Sequence, residues 1–384
     1  MKLETRNSKL EGSSKSDHFL PASATSAASA YTPLAAGSQP QPFRISILEF
    51  PSNFGFRVSS LALMAMLSLT VCAQPAPAPA KKADEKTLLL FSFFREPNGQ
   101  AGLQLATSED GLKWTEINAP NGKSFIEPAV GGKLMRDPSI ALGPDGTFHM
   151  VWTTSWGRPP VFGYASSKDL ITWSEQRAIP VMENEPGCKN VWAPEQFYDA
   201  KKAEWLIFWS STIPGKFPET DKTGDNGDNH RVYYTSTKDF TTFAPTKPFF
   251  NDGFNVIDAT MLSARGKYYL IVKDETKTPV RKNLRIAVSD RPEGPFGHAG
   301  PTISTNWVEG PSAIQIGSDC YIYFDHYSNP KYYGSVKSSD LEHWQDISTQ
   351  VFFPKGARHG TVLKVPATII NNIQHHQTNT TKEP

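Results

Sequence analysis

The chain has 384 residues, with 39 lysines and arginines against 38 aspartates and glutamates and a net charge of +1. That balance offers no basic face of the kind nucleic acid demands, and 3 cysteines are too few for a disulfide scaffold or a four-thiolate zinc site. With 9 Trp, 12 Tyr, 23 Phe, 31 Pro and 27 Gly, the composition favours many short strands and turns over long helices.

Residues 1–56 are rich in Ser, Ala, Pro and Gln and lack apolar periodicity, so they read as a disordered or misassigned extension. Arg57 then precedes an apolar run over 58–71 that ends in Val71-Cys72-Ala73. This reads as a signal peptide over 57–73. The run is short for a membrane span, which needs ~18–20 apolar residues; a signal anchor is the alternative. Cys72 fits a lipoprotein acceptor poorly, because Val71 stands where a small residue is wanted. The expected location is secreted, periplasmic or cell-surface. Residues 74–86 are an Ala/Pro linker that acts as a stiff spacer.

The interval 87–366 is a repeat. Strands of aromatic and β-branched residues are predicted at 87–94, 147–155, 204–212, 267–274 and 320–327. Each leads to a Ser/Thr-rich turn with an Asp and an aromatic a few residues on. The aspartates are Asp110, Asp169, Asp239, Asp290 and Asp340, spaced by 59, 70, 51 and 50 residues. Spacings of that size suit four-stranded propeller blades. A further strand that opens on a polar residue precedes four of the copies, at 136–142, 193–199, 257–262 and 309–316. The first copy lacks such a strand, and a lone one starts at Arg358. The two incomplete pieces complement each other. The fold predicted is all-β, a five-bladed β-propeller over 87–366 whose C-terminal strand pairs with the N-terminal blade and removes the exposed edge. The polar tail 367–384 is expected to fray.

In a blade the first strand lines the channel. The residues that open these strands are Asp137, Glu195, Asp258, Glu309 and His359, spaced by 58, 63, 51 and 50 residues. Four carboxylates at one channel mouth are costly unless used, paired or bound to a cation. Two opposed carboxyls in a sugar-sized hollow are what glycoside hydrolysis needs, and aromatic rings suit sugar faces. The Ser-x-x-Asp turns recur on the opposite face and read as structural.

Five motifs in order carry a family likeness: Asp137-Pro138, Trp192 to Glu195, Asp258 within Ile-Asp-Ala, Glu309 to Ser312, and Arg358 to Gly360. Together they resemble glycoside hydrolase family 43, the five-bladed arabinofuranosidases, xylosidases and related enzymes. The resemblance implies Asp137 as general base, Glu309 as general acid, and Asp258 as the residue that orients the acid and tunes its pKa. It also implies inversion of configuration, and it places His359 near a water-bound calcium ion in the channel. No cofactor is required and no protein partner is implied. Glu195, Trp192, Trp156, Arg158, Trp307, His326 and Arg358 are the expected substrate contacts, with Trp156, Arg158 and His326 on loops joining the second and third strands. The expected enzyme is a hydrolase of O-glycosyl bonds in plant-type polysaccharide or oligosaccharide side chains, of an exo-acting, inverting α-L-arabinofuranosidase-like kind. Alternatives on this fold are β-D-galactofuranosidase, β-xylosidase and β-1,3-galactosidase. A non-catalytic carbohydrate-binding propeller is the alternative of another class.

Overall fold

The computed structural model describes residues 86–380. The extension 1–56, the signal segment 57–73 with Cys72, and the linker up to residue 85 lie outside the described residues, as do 381–384. The described chain forms five antiparallel sheets. In the first, β1 (Thr87–Phe94), β2 (Gln104–Ser108) and β3 (Thr115–Ile117) follow β19 (Arg358–Pro366), which pairs with β1 from Pro366 opposite Thr87. The second holds β4 (Arg136–Leu142), β5 (Phe148–Thr153), β6 (Val161–Ser167) and β7 (Arg177–Pro180). The third holds β8 (Trp192–Asp199), β9 (Glu204–Thr212), β10 (His230–Thr237) and β11 (Lys247–Phe250). The fourth holds β12 (Val256–Ala264), β13 (Lys267–Asp274) and β14 (Asn283–Ser289). The fifth holds β15 (Val308–Ile316), β16 (Asp319–His326), β17 (Tyr332–Ser338) and β18 (Gln345–Asp346). The fold is a five-bladed β-propeller.

The core lies between blades. One apolar cluster joins Leu90 and Leu105 of the first blade to Met150 and Trp152 of the second. Others join Phe162 to Trp209, Phe208 to Leu270, and Ile271 to Ile322. The last joins Phe91 to Tyr323 and Tyr333, so the fifth blade packs back onto the first. Both faces of every blade are therefore covered. That is why β1, β9 and β16 are buried over nearly their whole length and read as continuous apolar runs instead of alternating ones.

Four turns are built alike. Asp110, Asp169, Asp239 and Asp340 each accept two backbone N–H bonds, from the residues two and three positions on. Asp290 breaks the series because Pro292 has no N–H to donate. Two further expectations are corrected. The fourth blade has three strands among the described residues. Its outer edge is instead met by isolated bonds from Gly297, Gly300 and Ile303, in a stretch where Pro295 and Pro301 interrupt the ladder. The tail does not fray at once: Ala367–Thr380 is a helix, α1, whose Ile370 and Ile373 are buried against the first two blades. Cys188 and Cys320 are both free thiols, as their places in non-adjacent blades require.

Candidate active site

The innermost strands deliver the site. Four of them break register near their starts, between Arg136 and Ser139, Trp192 and Glu195, Ile257 and Thr260, and Glu309 and Ser312. At each break one residue is left-handed: Asp137 at φ 52°, Ala193 at 46°, Asp258 at 51° and Gly310 at 58°. A bulge of this kind re-aims a side chain, and aspartate tolerates the conformation better than most residues. At Gly310 a β-carbon would also lie 2.3 Å from the His359 ring, so nothing larger fits.

Aligned on the breaks, Asp137 and Asp258 are equivalent, and Glu309 comes one residue before its bulge. Glu195 comes two residues after Ala193, so it does not open its strand. It sits deeper in the channel, buried, and accepts hydrogen bonds from Ser139 (2.9 Å) and Thr361 (2.8 Å). Burial pushes its carboxyl up to about 7 against those hydrogen bonds and the nearby His359 charge.

Asp137, Asp258, Glu309, Arg358 and His359 line one cavity of about 310 Å³, together with Trp156 and Trp192. Each loop joining a second strand to a third reaches it, through Glu96, Trp156, Asp225 with Asn226, Glu275, and Tyr327. Four residues expected at the sugar do not line it. Glu195 is one. Arg158 instead donates to the carbonyls of Pro186 (3.1 Å) and Cys188 (3.0 Å) and pins that loop. Trp307 stands edge-on behind Tyr327, with ring centroids 6.1 Å apart. His326 donates to the Pro330 carbonyl (3.0 Å) and stacks on Tyr332.

The carboxylates are set apart by their partners. Asp137 is largely buried, which by itself would raise its pKa. The His359 imidazolium at 3.2 Å, Arg136, and the Thr153 hydroxyl at 2.7 Å outweigh this and hold it at about 2. His359 in turn is driven up to about 9 against burial, mainly by Asp137 and then by Asp258 and Glu195. Burial raises Asp258 to about 6; the charges of His359 and Lys273 oppose this, and the negative charges of Glu309 and Asp137 add to it. Asp258 also accepts a hydrogen bond from the Gly310 N–H at 3.0 Å, which fixes the backbone beside Glu309. Burial would raise Glu309 too, but Lys273 Nζ at 3.2 Å and Arg358 at 2.8 Å keep it below the ordinary glutamate value. Asp258 and Glu309 repel one another, which adds to the burial that keeps a proton on Asp258.

The protonated His359 sits as a cation among Asp137, Asp258 and Glu195. Among the described residues no group of three or more His, Cys, Asp or Glu side chains is placed to hold a metal ion. A calcium ion held through waters needs no such group, and no step below runs through one.

The family model related to glycoside hydrolase family 43, described as "Probable glycosyl hydrolase domain", matches residues 84–369. The chain belongs to this family. A curated relative, "Alpha-L-arabinofuranosidase" of Bifidobacterium longum subsp. longum, is 25% identical over 268 residues, an alignment that takes in 59% of this glycosyl hydrolase chain and 25% of the relative. The chain thus spans about a quarter of that relative's length. Among solved structures, an α-L-arabinofuranosidase from Lactobacillus brevis is 16% identical with a TM-score of 0.44, covering 58% of this chain and 74% of its own. An exo-β-1,3-galactanase from Phanerochaete chrysosporium with β-1,3-galactotriose is 13% identical with a TM-score of 0.48, covering 68% of this chain and 60% of its own.

Two cations of this family member's site were not anticipated from the sequence. Arg136 lies between the rings of Phe94 (4.4 Å) and Trp156 (4.3 Å) and pairs with Glu96. Lys273 is 1% exposed and bridges Glu309 to Glu275 (2.7 Å). Lys282 continues the chain of charges from Glu275 to Asp225 (2.8 Å) and so anchors the loop between β9 and β10. The sequence signal for Lys273 was a lysine near the end of an otherwise apolar strand, a position that rarely tolerates an unpaired charge.

Proposed function

We propose that the protein is an exo-acting, inverting glycosidase that removes a terminal sugar of the α-L-arabinofuranose kind. The observation that carries this reading is the opposed protonation of carboxyls in one cavity: Asp137 ionised down to about 2, and Asp258, beside Glu309, holding a proton to about 6. An ionised carboxylate and a proton-bearing one are the two halves of glycoside hydrolysis. At about 310 Å³ the cavity sits at the small end of ligand sites and suits a chain end better than a polymer passing through. The name of the curated relative supports a pentofuranose.

In the proposed mechanism Asp137 takes a proton from water as the water oxygen bonds to the anomeric carbon. The bond from that carbon to the leaving oxygen breaks, and Glu309 gives that oxygen its proton. Asp258 orients Glu309 through Gly310 and supplies Glu309 with the proton it passes on. His359 keeps Asp137 ionised until it takes the proton from water. Trp156 and Trp192 offer faces for the ring. The segment 57–73 is proposed to export the chain; N-terminal mass spectrometry of the exported protein would show the mature start.

The test is a panel of aryl α-L-arabinofuranoside, β-D-galactofuranoside, β-D-xyloside and β-D-galactoside with NMR of the first product anomer. Release of the inverted sugar from the arabinofuranoside, lost in Asp137→Asn by ~10³-fold or more, is expected. Retention of configuration would exclude the mechanism. Turnover confined to another glycoside would move the substrate to one of the alternatives, and polysaccharide binding without any turnover would favour a non-catalytic propeller.

A further inference from the structure

Next to the catalytic cavity lies a larger groove, of about 600 Å³, between the first and fifth blades. The two hollows share Glu96 and Arg358, so they are parts of one continuous surface. Two aromatic rings stand open along the groove. Phe352 is 59% exposed and Tyr332 is 37% exposed, in a protein that buries most of its rings. Both are braced. Phe352 donates its N–H to Leu112 (2.7 Å), and its carbonyl accepts from Trp114 (2.9 Å), which stitches its backbone to the first blade. Tyr332 is stacked flat on His326, with centroids 4.4 Å apart and planes at 10°. Exposed rings held by rigid backbone lose little freedom when a flat partner stacks on them.

The charges of the groove are unequal in a second way. Its carboxylates, Glu96 and Asp325, are both committed to Arg358, and Arg95 is committed to Glu116. Lys331 and Lys355 are exposed at the groove and form no ion pair among the described residues. The uncommitted charge of the groove is therefore two positive groups beside two open rings.

We propose that this groove binds the main chain of an acidic, uronate-bearing polysaccharide while a side-chain sugar of that polymer enters the catalytic cavity. Sugar faces stack on Phe352 and Tyr332, and carboxylates pair with Lys331 and Lys355. The proposal rests on the glycosidase reading for what enters the cavity, but the groove itself can be tested without turnover.

The test is affinity electrophoresis of the full chain in gels containing polygalacturonate or the same polymer after carboxyl reduction. The acidic polymer is expected to retard the protein about five- to tenfold more strongly than the reduced one, as two exposed ion pairs allow. Raising the salt should erase the difference. The double variant Lys331→Ala/Lys355→Ala should lose the preference, and Phe352→Ala should weaken binding to both polymers. All three substitutions should leave hydrolysis of an aryl glycoside unchanged. Equal retardation by the two polymers, or none, overturns the proposal. So does a preference that survives the double variant, or a loss of aryl glycoside hydrolysis in it. A wild-type protein that shows the polymer preference but hydrolyses no aryl glycoside would leave the groove standing and remove the glycosidase reading.

Discussion

Lys273 is the residue on which the acid chemistry turns. Its buried ammonium faces Glu309 and Glu275, and its charge lowers Glu309 and opposes the raised pKa of Asp258. Removing that charge lets the Asp258–Glu309 pair keep its proton to higher pH. In wild type the basic limb of the kcat/KM profile is expected near pH 6, where Asp258 titrates. Lys273→Met should move that limb upward by about one unit, and a limb that stays put or moves down would contradict the assignment. Glu309→Ala belongs to the same scale: it should spare aryl glycosides with good leaving groups and cost natural glycosides ~10²-fold or more. Asp137, Asp258, Glu309 and His359 were legible because each belongs to a short motif that recurs at blade spacing. Glu195 was misplaced for the same reason. Spacings of 58 and 63 residues cannot resolve an offset of two positions, and the left-handed residue that marks the true equivalence in that strand is an alanine.

Strands and turns were legible where a local rule sufficed. The apolar runs became central strands, and the Asp turns formed wherever a backbone N–H stood two residues on. What escaped depended on a missing N–H or on tertiary contact. Pro292 and Pro301 spoil the fourth blade's turn and outer strand, and α1 is stabilised by a surface that only the closed ring provides. Ile369, Ile370 and Ile373 carry helical spacing within a polar segment, and that was the signal overlooked. Ile373 is fully buried, so Ile373→Ala should lower the unfolding free energy by about 2–4 kcal/mol without altering KM. Urea melts with unchanged slope would check the first part. An unchanged midpoint would mean that α1 adds nothing to the blades.

Across the whole molecule, the channel holds more ionisable groups than it can charge at once. Glu195 shows the consequence. Its folded pKa of about 7 lies above the ordinary 4.5, so the folded state holds the proton more tightly than the unfolded one. Stability from this group is complete below pH 4.5 and is lost as pH rises through 7. Glu195→Gln removes that loss, and the glutamine can still bond the Ser139 and Thr361 hydroxyls. The variant should match wild type at pH 4 and exceed it at pH 8 by ~1–3 kcal/mol, read from Tm at the two pH values. A gain of Glu195→Gln over wild type that is larger at pH 4 than at pH 8 would reverse the sign and sink the argument. His359 adds to the same alkaline loss: its stabilising pairing with Asp137 fades as pH passes 9.

The strand that closes the ring is also the last of the ring's own strands to be synthesised. β19 brings Arg358 and His359, the two cations that pair with Glu309 and Asp137. A ribosome-bound chain that stops short of residue 358 carries the acidic side chains without the charges that reconcile them, and it has an open edge on β1. The proposed activity therefore requires β19 to be made and paired, and a nick that frees β19 should abolish it together with the fold.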